Sequence, residues 1–346
     1  MLDYKTKIEL ITLGVRTSIP PRRRGGGGPI GGIGFAVNGS IVSAPTKQWY
    51  VKESPYEIVE REGKFILLRE DERIGYVEIP KAEYYKHTIK GVSAGFIVAL
   101  DGINALVTSV SRRCVHVDSG KKCIFCAIEK NVTEPFILDK NPGDIVEAVK
   151  VAYEEDRTRH LTLTTGTTNL IDKGALKISE VARKVKEEVD IKIHAQVEAV
   201  NEKYLEVLYS SGVDTIGIHI ETFDEKIRGT VVPGKPSIEE YLKCWREAVK
   251  LFGEWKVSSW IVIGLGEREE SVVDGFKRTA EEGVIPYVAP FRPPPDDLVT
   301  RPDLKYIMRI YERLRDLRSE YDVKIEKCDA GCPKCTGCSA ILETLS

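Results

Sequence analysis

Between Ala105 and Phe291, short apolar segments alternate six times with amphipathic ones, and that alternation leaves few folds open. The apolar segments cover about 105–110, 160–165, 191–197, 215–221, 257–264 and 285–291. Between them, 144–155, 175–189, 202–210, 238–252 and 271–282 carry apolar residues at helical spacing. Such β-α repeats predict an α/β fold with a parallel sheet wrapped by helices. Parallel order places ligand-binding loops at the C-terminal ends of the strands. We expect a partial (β/α)6 TIM-like barrel over residues 96–300, with appendages on both sides. Residues 1–95 read as a β-rich region, with a short helix near 3–15 and strand-like pieces at 34–37, 65–68 and 75–80. Residues 301–346 read as a helix at about 303–321, a strand-like Val323-Lys324-Ile325 and a cysteine-rich extension. Pro286, Pro290 and Pro293-Pro294-Pro295 close the last strand and stiffen the connection to that extension.

Seven of the eight cysteines fall in two groups: Cys114, Cys123 and Cys126, then Cys328, Cys332, Cys335 and Cys338. Cys244 stands apart beside Trp245 in a helical stretch, as a small buried hydrophobe does. Charged residues make up 30% of the chain, yet the formal net charge is only −2, so broad attraction to nucleic acid is not indicated. Met1-Leu2-Asp3-Tyr4-Lys5 lacks the basic-then-apolar layout of a signal peptide. No apolar run reaches the roughly 18 residues of a membrane span. The chain therefore reads as soluble and cytoplasmic. In that reducing compartment, clustered cysteines point to metal ligands more than to disulfides. Abundant Lys, Glu, Arg, Val and Ile with only two Met matches a thermophile's usage.

The first group has the spacing C-x8-C-x2-C and follows the first barrel strand, so its loop should open at the catalytic mouth. Three thiolates are one short of a closed tetrahedral site. A zinc site completed by His116 is one reading. An iron–sulfur cluster with one iron left for a small molecule is the other. With Phe125 immediately before Cys126, the loop resembles that of the radical S-adenosylmethionine (radical SAM) superfamily. Its interval of eight residues between the first two cysteines departs from that family's usual three.

The resemblance implies a barrel of the radical SAM type. It also implies a [4Fe–4S] cluster on Cys114, Cys123 and Cys126, and S-adenosylmethionine as cofactor. By the same resemblance, Thr164, Thr165 and Gly166 would receive the methionine amino group. Gln196 or Glu198 would bind the ribose, and Arg228 the methionine carboxylate. His219 and Glu221 share one face of their strand by its period of two. Gly264 lies in the apolar strand and glycine turn that would back the adenine. Each residue also has a plain structural reading: Glu198 in a salt bridge, Arg228 as a surface cation, His219 as a packed side chain, Gly264 as a turn.

The second group, C-x3-C-x2-C-x2-C, suits a structural zinc site or an auxiliary [4Fe–4S] cluster. Four ligating cysteines would favour electron relay or structure. Three, with Ser339, Ser346 or substrate at the remaining iron, would suit donation of sulfide. Taken with Arg22-Arg23-Arg24 and the glycines after it, the layout resembles a radical SAM family that includes one component of the archaeal-type two-protein lipoyl synthase. That resemblance implies sulfur insertion into an octanoyl chain on a carrier protein or octanoyl-lysine peptide. It further implies a second radical SAM lipoyl synthase component and a low-potential electron donor as partners. The arginine-glycine run itself reads as a solvated linker or a mobile clamp. A radical SAM oxidoreductase or transferase of another substrate, and a zinc-stabilised scaffold without catalysis, are the competing readings.

Overall fold

The computed structural model describes residues 1–21, 30–128, 137–156 and 158–346. The clamp or linker expected at Arg22–Arg24 lies outside the described residues. The N-terminal region is an antiparallel sheet of β1 (Gly32–Val37), β2 (Ser40–Pro45), β3 (Tyr56–Arg61), β4 (Lys64–Arg69) and β5 (Glu72–Glu78), in the order β2-β1-β5-β4-β3. Asn38 and Gly39, between β1 and β2, both have positive φ, 48° and 77°. That is the two-residue hairpin turn whose twist matches the strands it joins. Glu62-Gly63 and Glu70-Asp71 repeat the positive-φ pair in the next two hairpins, although Glu62 and Glu70 carry no sequence signal for it. β2 and β3 were missed in the sequence, β2 despite the Asn38-Gly39 signal that precedes it. A small hairpin follows, β6 (Thr88–Ile89) with β7 (Val92–Ser93).

The second sheet has seven strands: β8 (Ala99–Asp101), β9 (Ala105–Ser111), β10 (His160–Thr165), β11 (Lys192–Val197), β12 (Thr215–Ile218), β13 (Val257–Ile263) and β14 (Ile285–Pro290). Their spatial order is β14-β13-β12-β11-β10-β9-β8. β9 to β14 are parallel and β8 pairs antiparallel with β9, so the sheet curls into a half-barrel with two edges. The expected partial barrel is therefore present. Its helices Pro142–Glu155, Ala175–Glu188, Glu202–Ser210, Ile238–Phe252 and Glu269–Glu281 pack outside.

Helix Ile238–Phe252 shows why the local sequence folds this way. Ser237 and Glu240 form a reciprocal capping box, and Tyr241, Leu242, Trp245, Ala248 and Phe252 form one buried stripe. Trp245 donates its indole N–H to the Ile218 carbonyl at 2.9 Å, fixing the helix to β12. Cys244 is buried in the same stripe, as expected.

Two expected elements differ. β12 ends at Ile218 rather than near 221, because Glu221 takes a left-handed backbone, φ 70°, and meets β13 only through an isolated bridge to Ile261. Val323-Lys324-Ile325 is not a strand; a 3-10 turn occupies Ile325–Lys327.

The last residues return into the concave side of the half-barrel. The Gly331 N–H donates to His160 Nδ1 at 3.3 Å, and a Cβ on Gly331 would stand 2.3 Å from the His194 ring. Only glycine fits that approach. The N-terminal sheet holds the same segment from the other side, with Ser43 N–H donating to the Gly337 carbonyl at 2.7 Å. A buried ion pair, Lys7 to Glu343 at 2.7 Å, joins helix Tyr4–Leu13 to the terminal helix Ile341–Leu345. Both side chains are essentially inaccessible. Burial pulls the Lys7 ammonium down from its usual range, and Glu343 opposes it. Removing one partner leaves the other charge buried alone. We therefore expect Glu343→Gln to cost about 3 kcal/mol in denaturant unfolding, and a Lys7→Met/Glu343→Leu double variant to recover most of that loss.

Candidate active site

Cys114 leaves the C-terminal end of β9, and its loop is tied down over the mouth at two points and braced by a turn of its own. Val115 N–H donates to the Thr167 carbonyl at 2.9 Å and Ile124 N–H to the Val231 carbonyl at 3.1 Å, and within the loop Cys126 N–H donates to the Cys123 carbonyl at 3.1 Å. The end of β10 runs directly beneath. A Cβ on Gly166 would lie 2.2 Å from the Arg113 carbonyl oxygen and 3.2 Å from Cys114 Cβ, so glycine lets strand and cysteine loop approach.

Inside the half-barrel is a cavity of about 300 Å3. Cys114, Cys123 and Cys126 line it, and so do Cys332, Cys335 and Cys338 from the returning terminal segment. None of the eight cysteines forms a disulfide. That two groups more than 200 residues apart share one chamber was not visible in their spacing. Burial raises the Cys123 thiol to about 12 and pushes Cys126, Cys332 and Cys335 up as well. These sulfurs become thiolates when something positive replaces their protons.

Most of the expected cofactor-binding residues meet here: Phe125, Thr164, Thr165, Gly166, Gln196, Glu198, His219 and Glu221 all line the cavity. Their partners refine the expected roles. Gln196 directs its amide N–H to Cys332 Sγ at 3.4 Å, toward the terminal thiols. Glu198 accepts from His116 Nε2 at 2.7 Å, from Thr167 Oγ1 at 3.0 Å and from Lys173 at 2.8 Å. Burial alone would raise the Glu198 carboxyl, but the His116 hydrogen bond and the Lys173 charge outweigh it and hold it at about 2. With Nε2 engaged by Glu198, His116 has only its other ring nitrogen left to offer a metal. His219 is half-buried in the cavity lining. Burial, with Lys235 nearby, keeps its imidazole neutral.

Three expected residues lie outside the cavity lining. Arg228 directs its two terminal nitrogens at the backbone carbonyls of Ile220, Thr222 and Pro236, where it shapes the loop after β12. Gly264 turns the chain at φ 92°, and the Glu267 carboxylate caps that turn by accepting from the Gly264 and Leu265 N–H groups at 2.7 Å. Cys328 is buried with its thiol donating to the Ala330 carbonyl at 3.3 Å, so the terminal group splits into one structural and three cavity cysteines.

The sequence reading missed Lys235. Its ammonium lines the cavity and donates to Glu221 at 2.8 Å and to the His219 carbonyl at 2.9 Å. Burial opposes its charge, but Glu221, Tyr241 and Cys123 together hold the proton more firmly than usual. The only signal was its place in the Pro233-Gly234-Lys235-Pro236 turn. The left-handed backbone of Glu221, a residue with a Cβ, is the kind of strain that persists where a side chain must be aimed.

Residues 109–278, which contain the first cysteine loop and β10 to β13, match the family model of the Radical SAM superfamily. The domain belongs to that superfamily. Lipoyl synthase of Caldicellulosiruptor saccharolyticus is 29% identical over 168 residues, 47% of this chain and 56% of its own length. Bacteriochlorophyllide c C-7(1)-hydroxylase of Chlorobaculum limnaeum is 22% identical over 256 residues, 66% of this chain and 63% of its own. The crystal structure of methylornithine synthase has a TM-score of 0.49 at 16% identity, with 70% of this chain and 69% of that chain covered. The chain spans about half the length of the lipoyl synthases it matches. Among the described residues, no helix is long and apolar enough to cross a membrane.

A radical SAM domain implies a [4Fe–4S] cluster and S-adenosylmethionine. The residues present fit them: three thiols on one anchored loop, beside strand-end backbone and an enclosed volume. Gly166→Ala should shift the cysteine loop and lower 5′-deoxyadenosine formation by about 100-fold, the scale of a 1 Å misplacement, with iron content reporting any lost cluster. The Glu198 pairing also predicts an acid limb. Its folded-state value lies below the ordinary 4.5, so its contribution is complete above about pH 4.5 and fades as pH falls towards about 2. Glu198→Gln should flatten that part of the stability profile, read by thermal unfolding across pH.

Proposed function

We propose that the protein is a radical SAM enzyme that inserts sulfur into an octanoyl chain held on a carrier-protein lysine, with an auxiliary [4Fe–4S] cluster on Cys332, Cys335 and Cys338 as sulfur source. The observation that carries this reading is the single chamber lined by both cysteine triads, with Cys328 turned away. Three protein thiols leave a fourth position open, the arrangement that suits release of sulfide. Ser339 does not compete for it, because its hydroxyl is buried against the Val288 carbonyl and Tyr311. Apolar side chains such as Leu106, Val107, Val262 and Phe291 line the same chamber, as an acyl chain requires. The similarity to lipoyl synthases points the same way.

Bound in this chamber, the clusters and S-adenosylmethionine supply a 5′-deoxyadenosyl radical and sulfide. The chain's own residues do the rest. Cys114, Cys123 and Cys126 hold one cluster on the loop anchored to Thr167 and Val231. Thr164, Thr165 and Gly166 offer strand-end carbonyls to the methionine ammonium. The Lys235–Glu221 pair sets a fixed dipole beside Cys123. The terminal segment keeps water from the concave side of the half-barrel, so a radical formed there meets substrate first. An octanoylated carrier, a second radical SAM component and a low-potential electron donor complete the system in this reading.

Incubation with an octanoyl-lysine peptide, S-adenosylmethionine, a strong reductant and the partner component tests it. A product heavier by sulfur, formed as labile sulfide falls, is expected. Deoxyadenosine formation with sulfide content unchanged and no sulfur in the product would instead assign the second triad to electron relay. The ligand set has its own check. Cys332→Ala, Cys335→Ala and Cys338→Ala should each drop iron from about eight to about four per chain while still cleaving S-adenosylmethionine, whereas Cys328→Ser should keep about eight.

A further inference from the structure

Each triad has one cation in the shared cavity, and the two cations are treated differently. Lys235, near Cys123, has Glu221 as a carboxylate partner at 2.8 Å. Arg292, near Cys338, has none at ion-pair distance among the described residues. Its guanidinium is 8% exposed and lines the cavity two residues after β14. One terminal nitrogen donates to the Ser43 carbonyl, and Gly32 leaves the room the other needs, since a Cβ there would stand 2.5 Å from Nη1. The buried Nε has no hydrogen-bond partner among the described residues. Burial lowers the Arg292 proton affinity, and Cys338 is the foremost group opposing that, ahead of Tyr50 and Asp101.

A guanidinium with five donors buried beside one neutral carbonyl is costly unless an anion faces it. Neutral thiols cannot serve. Three metal-bound thiolates can; the Asp101 carboxylate also lines the cavity, but it acts on Arg292 less than Cys338 and Tyr50 do. Resting on the two-cluster reading above, we infer that Arg292 is the charge partner of the cluster on Cys332, Cys335 and Cys338, with Nε–H directed at its sulfur. It is a positioning residue. Its fixed positive charge favours the more negative, reduced state of that cluster and holds an anionic sulfur in the chamber.

The test uses the full-length chain, reconstituted anaerobically with iron and sulfide, and reads midpoint potentials and EPR spectra alongside iron content. Wild-type protein should hold two clusters. In Arg292→Gln the terminal cluster should be harder to reduce, its potential moving negative and its EPR signal changing, while the first cluster keeps its potential and S-adenosylmethionine affinity. Arg292→Lys, which keeps the charge but not the planar fork, should restore most of the potential shift. An Arg292→Gln protein with two clusters and a wild-type terminal potential overturns the inference. So does weakened S-adenosylmethionine binding with that potential unchanged, which would place Arg292 at the first site, and so does equal loss of the cluster in both variants, which would make the residue structural. A wild-type protein holding one cluster defeats the two-cluster reading itself, and is told apart from these outcomes before any variant is made.

Discussion

A thiol buried in an apolar chamber resists becoming a thiolate, and the interior of this half-barrel is organised around that resistance. Six cysteines line one cavity, and burial pushes the proton affinities of several of them upward. The protein does not relieve this with many cations. Among the described residues it supplies Lys235, paired with Glu221, and Arg292, with no carboxylate at ion-pair distance. A metal bound by these thiols would supply the remaining compensation, so loading and proton release would be one event. The neutral rings beneath the terminal segment follow the same logic. Burial drives His194 down to about 3 and His160 to about 4, so both rings are neutral where the terminal segment packs on them.

The barrel itself was legible because its signal is periodic. Six apolar segments separated by amphipathic ones correspond to β9 through β14 within a few residues at each end. The largest boundary error fell at Glu221, where the need to aim a carboxylate into the cavity overrides strand geometry. The N-terminal sheet was half-read: the Glu62-Gly63 turn after β3 carries a weak hairpin signal, whereas β2 was missed although Asn38-Gly39 precedes it.

The site was legible only where it is local. The cysteine loop and the ends of β10 and β11 are set by strand order, so most of their residues reach the cavity. Arg228 and Cys328 have suitable chemistry at suitable positions, but neighbouring backbone carbonyls claimed their donors. No spacing rule anticipates such competition. The meeting of the two triads was hidden for a different reason: it depends on Gly331 slipping past His194 and on Gly337 joining β2, contacts of long sequence separation.

The buried pair between Lys7 and Glu343 carries a consequence for biosynthesis. The seat of the second triad is framed by β2 at the start of the chain and locked by a carboxylate eleven residues beyond Cys332. Everything between must be synthesised before that lock can close. The strands of the barrel and the first cysteine loop precede Cys332, Cys335 and Cys338 in the chain. The first triad is therefore complete in the growing chain before the contact that fixes the second can form.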